Sequence, residues 1–165
     1  MPNVTRTLLD GIILSAISTI YLLGIMLINP RIMLGDYPKA IQERVPAKTE
    51  REGRLSLLIG VPFLALLLVA PLLSTWLLEQ RSGDAVSFVQ LFFNAAGVVF
   101  VFNLFDLLIL DWLIFCLITP KFIMIPGSEG MAAYKDFGFH FRGFLVGTTL
   151  SIVVGLVVAG IVWLL

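Results

Sequence analysis

Asn103, Asp106 and Asp111 interrupt an otherwise apolar run between residues 88 and 118. A carboxylate in such a run can hold a proton, pair with a cation or bind a polar ligand. If ionised at the centre of a membrane helix it costs ~2.5–3.5 kcal/mol on insertion scales, so it needs a partner, a proton or water. Asn103 and Asp106 are three residues apart and share a helix face. Asp111 lies five residues beyond Asp106 and, at ~100° per residue of an α-helix, points roughly 140° away. One ideal helix does not aim both carboxylates at one point. Either a local distortion joins them, or Asp106 and Asn103 serve the bundle interior while Asp111 serves the interface. Lys121, His140 and Arg142, which follow the run, are candidate partners, as are hydroxyls of the first apolar segment. Asn94 adds an amide almost three turns earlier.

Other chemistry is sparse. His140 stands between Phe139 and Phe141 and reads as an interfacial aromatic. With Cys116 it does not make a zinc ligand set. Asp106, Asp111 and Glu129 form at most a weak hard-cation set, so neither metal nor cofactor is expected. Cys116 reads as a small packing residue, and a single cysteine excludes an internal disulfide. No Gly-x-Ser-x-Gly, His-Glu-x-x-His or phosphate-loop pattern occurs, and residues 126–130 read as a turn. No catalytic residue is assigned.

The elements that must position these groups are membrane spans. Of 165 residues, 59% are hydrophobic and 13% charged, against roughly a quarter charged in soluble domains. A mean hydropathy of +1.01 points to lipid as solvent. Four apolar stretches, at about 8–28, 55–78, 87–118 and 144–165, each reach the ~20 residues that cross a hydrocarbon core. The expected fold is an all-α integral membrane protein, a single compact bundle of four transmembrane helices. Arg6, then an apolar run holding Asp10 without a small-residue cleavage pattern, predicts a first span that is retained. Asn29-Pro30 ends that span. Pro62 and Pro71 predict kinks in the second, and the third is long enough to tilt, break or project into water.

Small residues recur every fourth position on two spans: Gly11, Ser15 and Thr19 on the first, and Gly143, Gly147, Ser151, Gly155 and Ala159 on the last. Such rows let a neighbouring backbone approach. The expected packing joins the first and last helices, with a second copy of the chain or another membrane protein as an alternative partner. Asp36 is expected to cap a short helix with Pro38 in its first turn, running through residues 40–44. Residues 49–54 lead into the second span. Between 121 and 142, aromatics interleave with basic residues. Phe137, Phe139, Phe141 and Phe144 are expected to face lipid or the bundle while Lys135 and Arg142 reach phosphates.

Arg31, Lys39, Arg44, Lys48, Arg51 and Arg54 lie in the first connection and Lys121, Lys135 and Arg142 in the third, against only Arg6 and Arg81 on the opposite side. The positive-inside rule then places connections 30–54 and 119–143 in the cytoplasm and both termini outside a cell membrane. Asp106 falls near mid-membrane and Asp111 nearer the cytoplasm. Zero formal charge and no basic face argue against nucleic acid as a partner; membrane lipids are the expected contacts. The leading expectation is an accessory or scaffold protein with a polar site in the cytoplasmic half of the third span and lipid or partner contact through 121–142. Two alternatives stand beside it: proton-, ion- or solute-coupled transport using Asp106, and an intramembrane lipid-modifying enzyme with Asp111 and His140 as acid and base.

Overall fold

A computed structural model describes residues 4–82 and 86–165. They contain no strand, and four helices are long and apolar enough to cross a membrane. In chain order these are α1 (Val4–Ile28), a 3-10 helix (Pro30–Asp36), α2 (Lys39–Arg44), α3 (Glu50–Ser82) and α4 (Phe88–Phe105). The last continues as a π-helix (Asp106–Ile118), followed by a 3-10 turn (Ala132–Lys135) and α5 (Phe137–Leu164).

Polar caps set several of these starts. Glu52 N–H donates to Thr49 Oγ1 at 3.2 Å while Thr49 N–H donates to the Glu52 carboxylate at 2.8 Å. This reciprocal box starts α3 five residues before the apolar run that predicts it. Ser87 and Gln90 form the same box at α4. Asp136 accepts from Phe139 N–H at 2.8 Å, so α5 starts at Phe137 rather than near 144. At the far end of α3, helix extends through Ser82, four residues beyond the expected limit near 78. Pro62 and Pro71 both sit inside α3. Asp36 is not a cap: it closes the 3-10 helix, and the residue before α2 is Pro38, which makes no side-chain cap bond. Proline at 38 fixes the entry to α2 without help from a carboxylate.

The expected pairing of the first and last helices is corrected. Both α1 and α5 pack on α4, which forms its most extensive interface with α5 and its next with α1. A β-carbon on Gly11 would lie 2.6 Å from Val101 Cβ, and one on Gly155 would lie 2.7 Å from Ala96 Cβ. Each small row therefore lies against α4, Gly155 against the Ala96 backbone and side chain and Gly11 against the Val101 side chain and Val98 O. Ser15, Ser151 and Ala159 are buried in these contacts. Gly143 is not part of them: no atom lies within 4 Å of where its β-carbon would be. Thr19 is half-buried, and its hydroxyl has no partner among the described residues.

The two long connections meet at one end and build their own core. Leu34, Tyr37, Ile41 and Val45 pack with Ile123, Ile125 and Tyr134 beneath Phe115 and Cys116. Tyr37 Oη donates to Ile123 O at 2.8 Å, and Ile125 N–H donates to Tyr134 Oη at 2.8 Å. The apolar residues of 121–125 thus pack on this core, Ile123 and Ile125 fully buried in it and Phe122 and Met124 partly buried against it. Among the aromatics that follow, Phe141 alone is exposed, Phe137, Phe139 and Phe144 are half-buried, and His140 is buried.

Candidate functional site: a carboxylate-lined cavity on a π-helix

Beyond Phe105 the third long helix changes its hydrogen-bond pattern. Thr119 N–H donates to Ile114 O at 2.9 Å, an i to i−5 bond, and the π pattern spans the 13 residues before it. In a π-helix the residue five positions on returns close to the side of the first. Asp106 and Asp111 are spaced by five. Both line one cavity of about 730 Å³, so the distortion joins the two carboxylates that an α-helix would separate.

His140 completes this wall from α5. Its Nδ1 lies 2.9 Å from Asp111 Oδ1, with the histidine 5% and the aspartate 27% exposed. The imidazole ring is wedged against Phe115 and Phe139 at centroid distances of 4.8 and 5.3 Å. Its Nε2 is buried and has no hydrogen-bond partner among the described residues. The expectation of an interfacial aromatic is corrected, because Phe115 and Phe139 supply the apolar contacts and Asp111 supplies the polar one. Arg142 also lines the cavity, whereas Lys121 is exposed and lies outside its lining.

Asn103 has a structural task beside the cavity. Its Nδ2 donates to Phe144 O at 3.0 Å and to Thr148 Oγ1 at 3.1 Å, tying α4 to α5 where Gly147 leaves room for the amide. Asp36 joins the site from the first connection, and the sequence reading missed it as a site residue. Its position between Gly35 and Tyr37 carries no periodic signal, and only the folding back of the connection brings it to Asp111. Asp36 is exposed, and it lines the cavity together with Ile32, Tyr37 and Ile123. Burial raises the Asp36 pKa, the charge of Asp111 raises it further, and Lys48 opposes both.

Bases nearby are engaged elsewhere. Arg31 pairs with Glu52 at 2.7 Å and donates to Pro46 O and Ala47 O. Lys48 Nζ donates to Ile32 O at 2.6 Å and Ser56 Oγ at 2.7 Å. Among the described residues, neither Asp36 nor Asp106 makes an ion pair, and neither carboxylate makes a side-chain hydrogen bond. Much of the remaining lining is apolar, with Tyr21, Ile25 and Met26 of α1, Ile59 and Phe63 of α3, and Phe102 and Leu110 of the third long helix. Gly60 of α3 and Gly143 of α5 both line this space, and a β-carbon on either would meet no neighbouring side chain or helix within 4 Å.

A second polar cluster holds the other half of the bundle. Asn94, 2% exposed, accepts from Thr7 Oγ1 at 2.6 Å and donates to Ser74 Oγ at 3.0 Å and Thr75 Oγ1 at 3.1 Å. Ser74 Oγ donates to Asp10 at 2.7 Å, and Arg6 pairs with Asp10 at 3.1 Å. These bonds join α1, α3 and α4, as interhelical polar contacts do in lipid. Among the described residues, no group of three or more histidine, cysteine, aspartate or glutamate side chains is placed to hold a metal ion. Comparison with protein-family models, curated proteins and solved structures finds no match to this chain.

Proposed function

We propose that the protein is a multi-pass cell-membrane protein that takes a small amphipathic ligand into the cavity of its bundle. The observation behind this reading is a cavity of about 730 Å³ whose largely apolar lining includes Asp36, Asp106 and Asp111, of which only Asp111 is paired, with His140. Small-molecule sites have this size and this mixture of apolar lining with a few convergent polar groups. A carboxylate in lipid-depth surroundings also needs a partner, and the described residues supply no ion pair or side-chain hydrogen bond for Asp106. In the proposed orientation both termini lie outside and connections 30–54 and 119–143 are cytoplasmic, which sets the cavity in the cytoplasmic half. An accessory role fits this reading best if the partner senses the liganded bundle, because Ile123, Ile125 and Tyr134 of the 121–142 segment are spent on the internal core.

Transport is the second reading, favoured by polar groups that continue beyond the cavity. α1 and α4 run side by side with Thr7 beside Asn94 and Gly11 beside Val98 and Val101. That register sets Ser18 level with Asp106. The hydroxyls of Ser18 and Thr19 are buried and have no partner among the described residues. Native mass spectrometry of protein extracted with its lipids tests the cavity directly. Wild-type protein is expected to retain a small bound species that Gly143→Leu loses at unchanged melting temperature. Identical spectra for the two proteins overturn the ligand reading.

A further inference from the structure

We propose that the cavity opens sideways into the bilayer between α3 and α5, and that its ligand is a membrane phospholipid with one acyl chain in the cavity and its phosphate on Arg142. The inference rests on the ligand reading above and adds the ligand's class and its route of entry. Leu64 of α3 and Val146 of α5 both line the cavity, yet they are 61% and 62% exposed, so they stand at its rim. Phe102, 8% exposed, belongs to its floor. Asn103 fixes the depth of the rim. It stands midway along the helix of residues 88–118 and bonds to Phe144 O and Thr148 Oγ1, on either side of Val146. Asn94 bonds to Ser74 and Thr75 of the antiparallel α3, which sets Asn103 level with residues 65–66, beside Leu64. Both rim residues thus sit at half-height in the bundle, where the solvent of a membrane span is hydrocarbon.

An opening at this depth admits what the hydrocarbon core contains. An acyl chain brings no polar group to desolvate, and it meets the rings of Phe63 and Phe102, which stand edge to face at 6.1 Å. The rim lacks bulk at Gly60 and Gly143, where an added β-carbon would have no neighbour within 4 Å. Asp106 and Asp111 follow Asn103 toward the connections, away from the level of the rim. Arg142 stands one helical turn from Val146, ~6 Å along the axis in that same direction. It lines the cavity, is exposed and makes no ion pair among the described residues. A charge so placed in lipid needs a counter-charge. Lys48 and Asp111 are the charges that act most strongly on Asp36, so Arg142 is not that carboxylate's counter-ion. A phospholipid carries chain and phosphate on one molecule, and a guanidinium matches phosphate through paired N–H donors.

Photolabelling tests the route. The protein is reconstituted in phosphatidylcholine liposomes holding a trace of the same lipid with a diazirine at the middle of one acyl chain, and labelled peptides are mapped by mass spectrometry. Wild type is expected to be labelled at Phe102 as well as at Leu150, an exposed residue of α5 outside the cavity lining. Val146→Trp narrows the rim and should cut labelling at Phe102 about fivefold or more while leaving Leu150 unchanged, at preserved helical circular dichroism. Equal labelling of Phe102 in the two proteins, or none in the wild type, overturns the lateral route. Native mass spectrometry of protein extracted with its lipids tests the class. The species that Gly143→Leu loses should have the mass of a phospholipid, and Arg142→Gln should retain about a tenth of it or less. A fatty acid or a water-soluble species in its place overturns the phospholipid assignment and leaves the cavity reading standing. Equal retention by Arg142→Gln overturns the phosphate contact. Identical spectra for wild type and Gly143→Leu, with no label at Phe102, overturn both readings.

Discussion

Gly155→Ala is expected to destabilise the bundle although it replaces glycine by the best helix former. A β-carbon at 155 would stand 2.7 Å from Ala96 Cβ and 3.1 Å from both Ala96 Cα and Ala96 N. Non-bonded carbons prefer about 3.5–4.0 Å, so α5 must retreat from α4 by roughly 1 Å. Ala96 has no rotamer with which to yield, and two of the three contacts are backbone. A gap of 0.5–1 Å removes about a quarter to a half of each contact's dispersion energy, and overpacking of this kind costs about 1–3 kcal/mol. Helix propensity returns about 0.5–1 kcal/mol. The net loss is about 1–2 kcal/mol, a fall in melting temperature of roughly 2–8 °C for a chain of this length. Gly160→Ala is the matched control: it lies on the same helix, and no atom stands within 4 Å of its added carbon. It should melt at or slightly above the wild type. The measurement is tryptophan-fluorescence melting of the three proteins in one detergent. If Gly155→Ala melts as high as Gly160→Ala, α5 does not rest on Ala96 and the account of the α4–α5 interface fails.

Asp36→Asn should be more stable than wild type near neutral pH, and the advantage should vanish in acid. The Asp36 pKa is raised in the fold by burial and by Asp111. The folded state then binds more proton than the unfolded state above the ordinary aspartate range, and stability falls as pH rises through the folded pKa. Melting curves of both proteins from pH 3.5 to 8 check this, and a gap that widens toward acid refutes it. Asn94→Ala removes three bonds from Thr7, Ser74 and Thr75. At about 0.6 kcal/mol per interhelical bond in membranes, with buried partners left behind, the loss should reach about 2 kcal/mol. Denaturant unfolding in mixed micelles measures it, and a loss under about 0.5 kcal/mol removes the cluster from the forces joining α1, α3 and α4.

Four long helices and their approximate limits are legible in the sequence because lipid-length apolar runs carry that signal residue by residue. The small rows are legible too, but not their partner. Gly11 and Gly155 show that a backbone comes close, and nothing in their spacing says that it is α4's. That choice depends on the compact residues 94–97, which form no four-residue row and so escape a search for one. The cap at Glu50 and the early start of α5 at Phe137 are set by Thr49, Glu52 and Asp136, polar residues lying outside any apolar window. Asp106 and Asp111 are conspicuous as charges in an apolar run. Asp36 is hidden because its role comes from a contact across 75 residues of chain, which local pattern does not encode.

The spacing of five between the two aspartates takes its meaning from the backbone that carries it. On an α-helix it turns Asp111 roughly 140° from Asp106; on a π-helix it is the hydrogen-bonding repeat itself. Thirteen residues are long for a π segment, since most are single turns, so particular contacts must favour it. The Asp111–His140 bond is one. A return to α-helical register would swing Asp111 away and leave both imidazole nitrogens of a side chain 5% exposed without partners, at ~1–3 kcal/mol for each. The end of the segment is another. Thr119 takes φ 45°, left-handed and unfavourable for a β-branched residue, while its Oγ1 donates to Phe115 O at 2.8 Å and Pro120 stops further helix. The carboxylates and the unusual backbone therefore explain each other: the π-helix brings Asp106 and Asp111 to one cavity, and the bond that Asp111 makes there opposes the helix's return to the ordinary form.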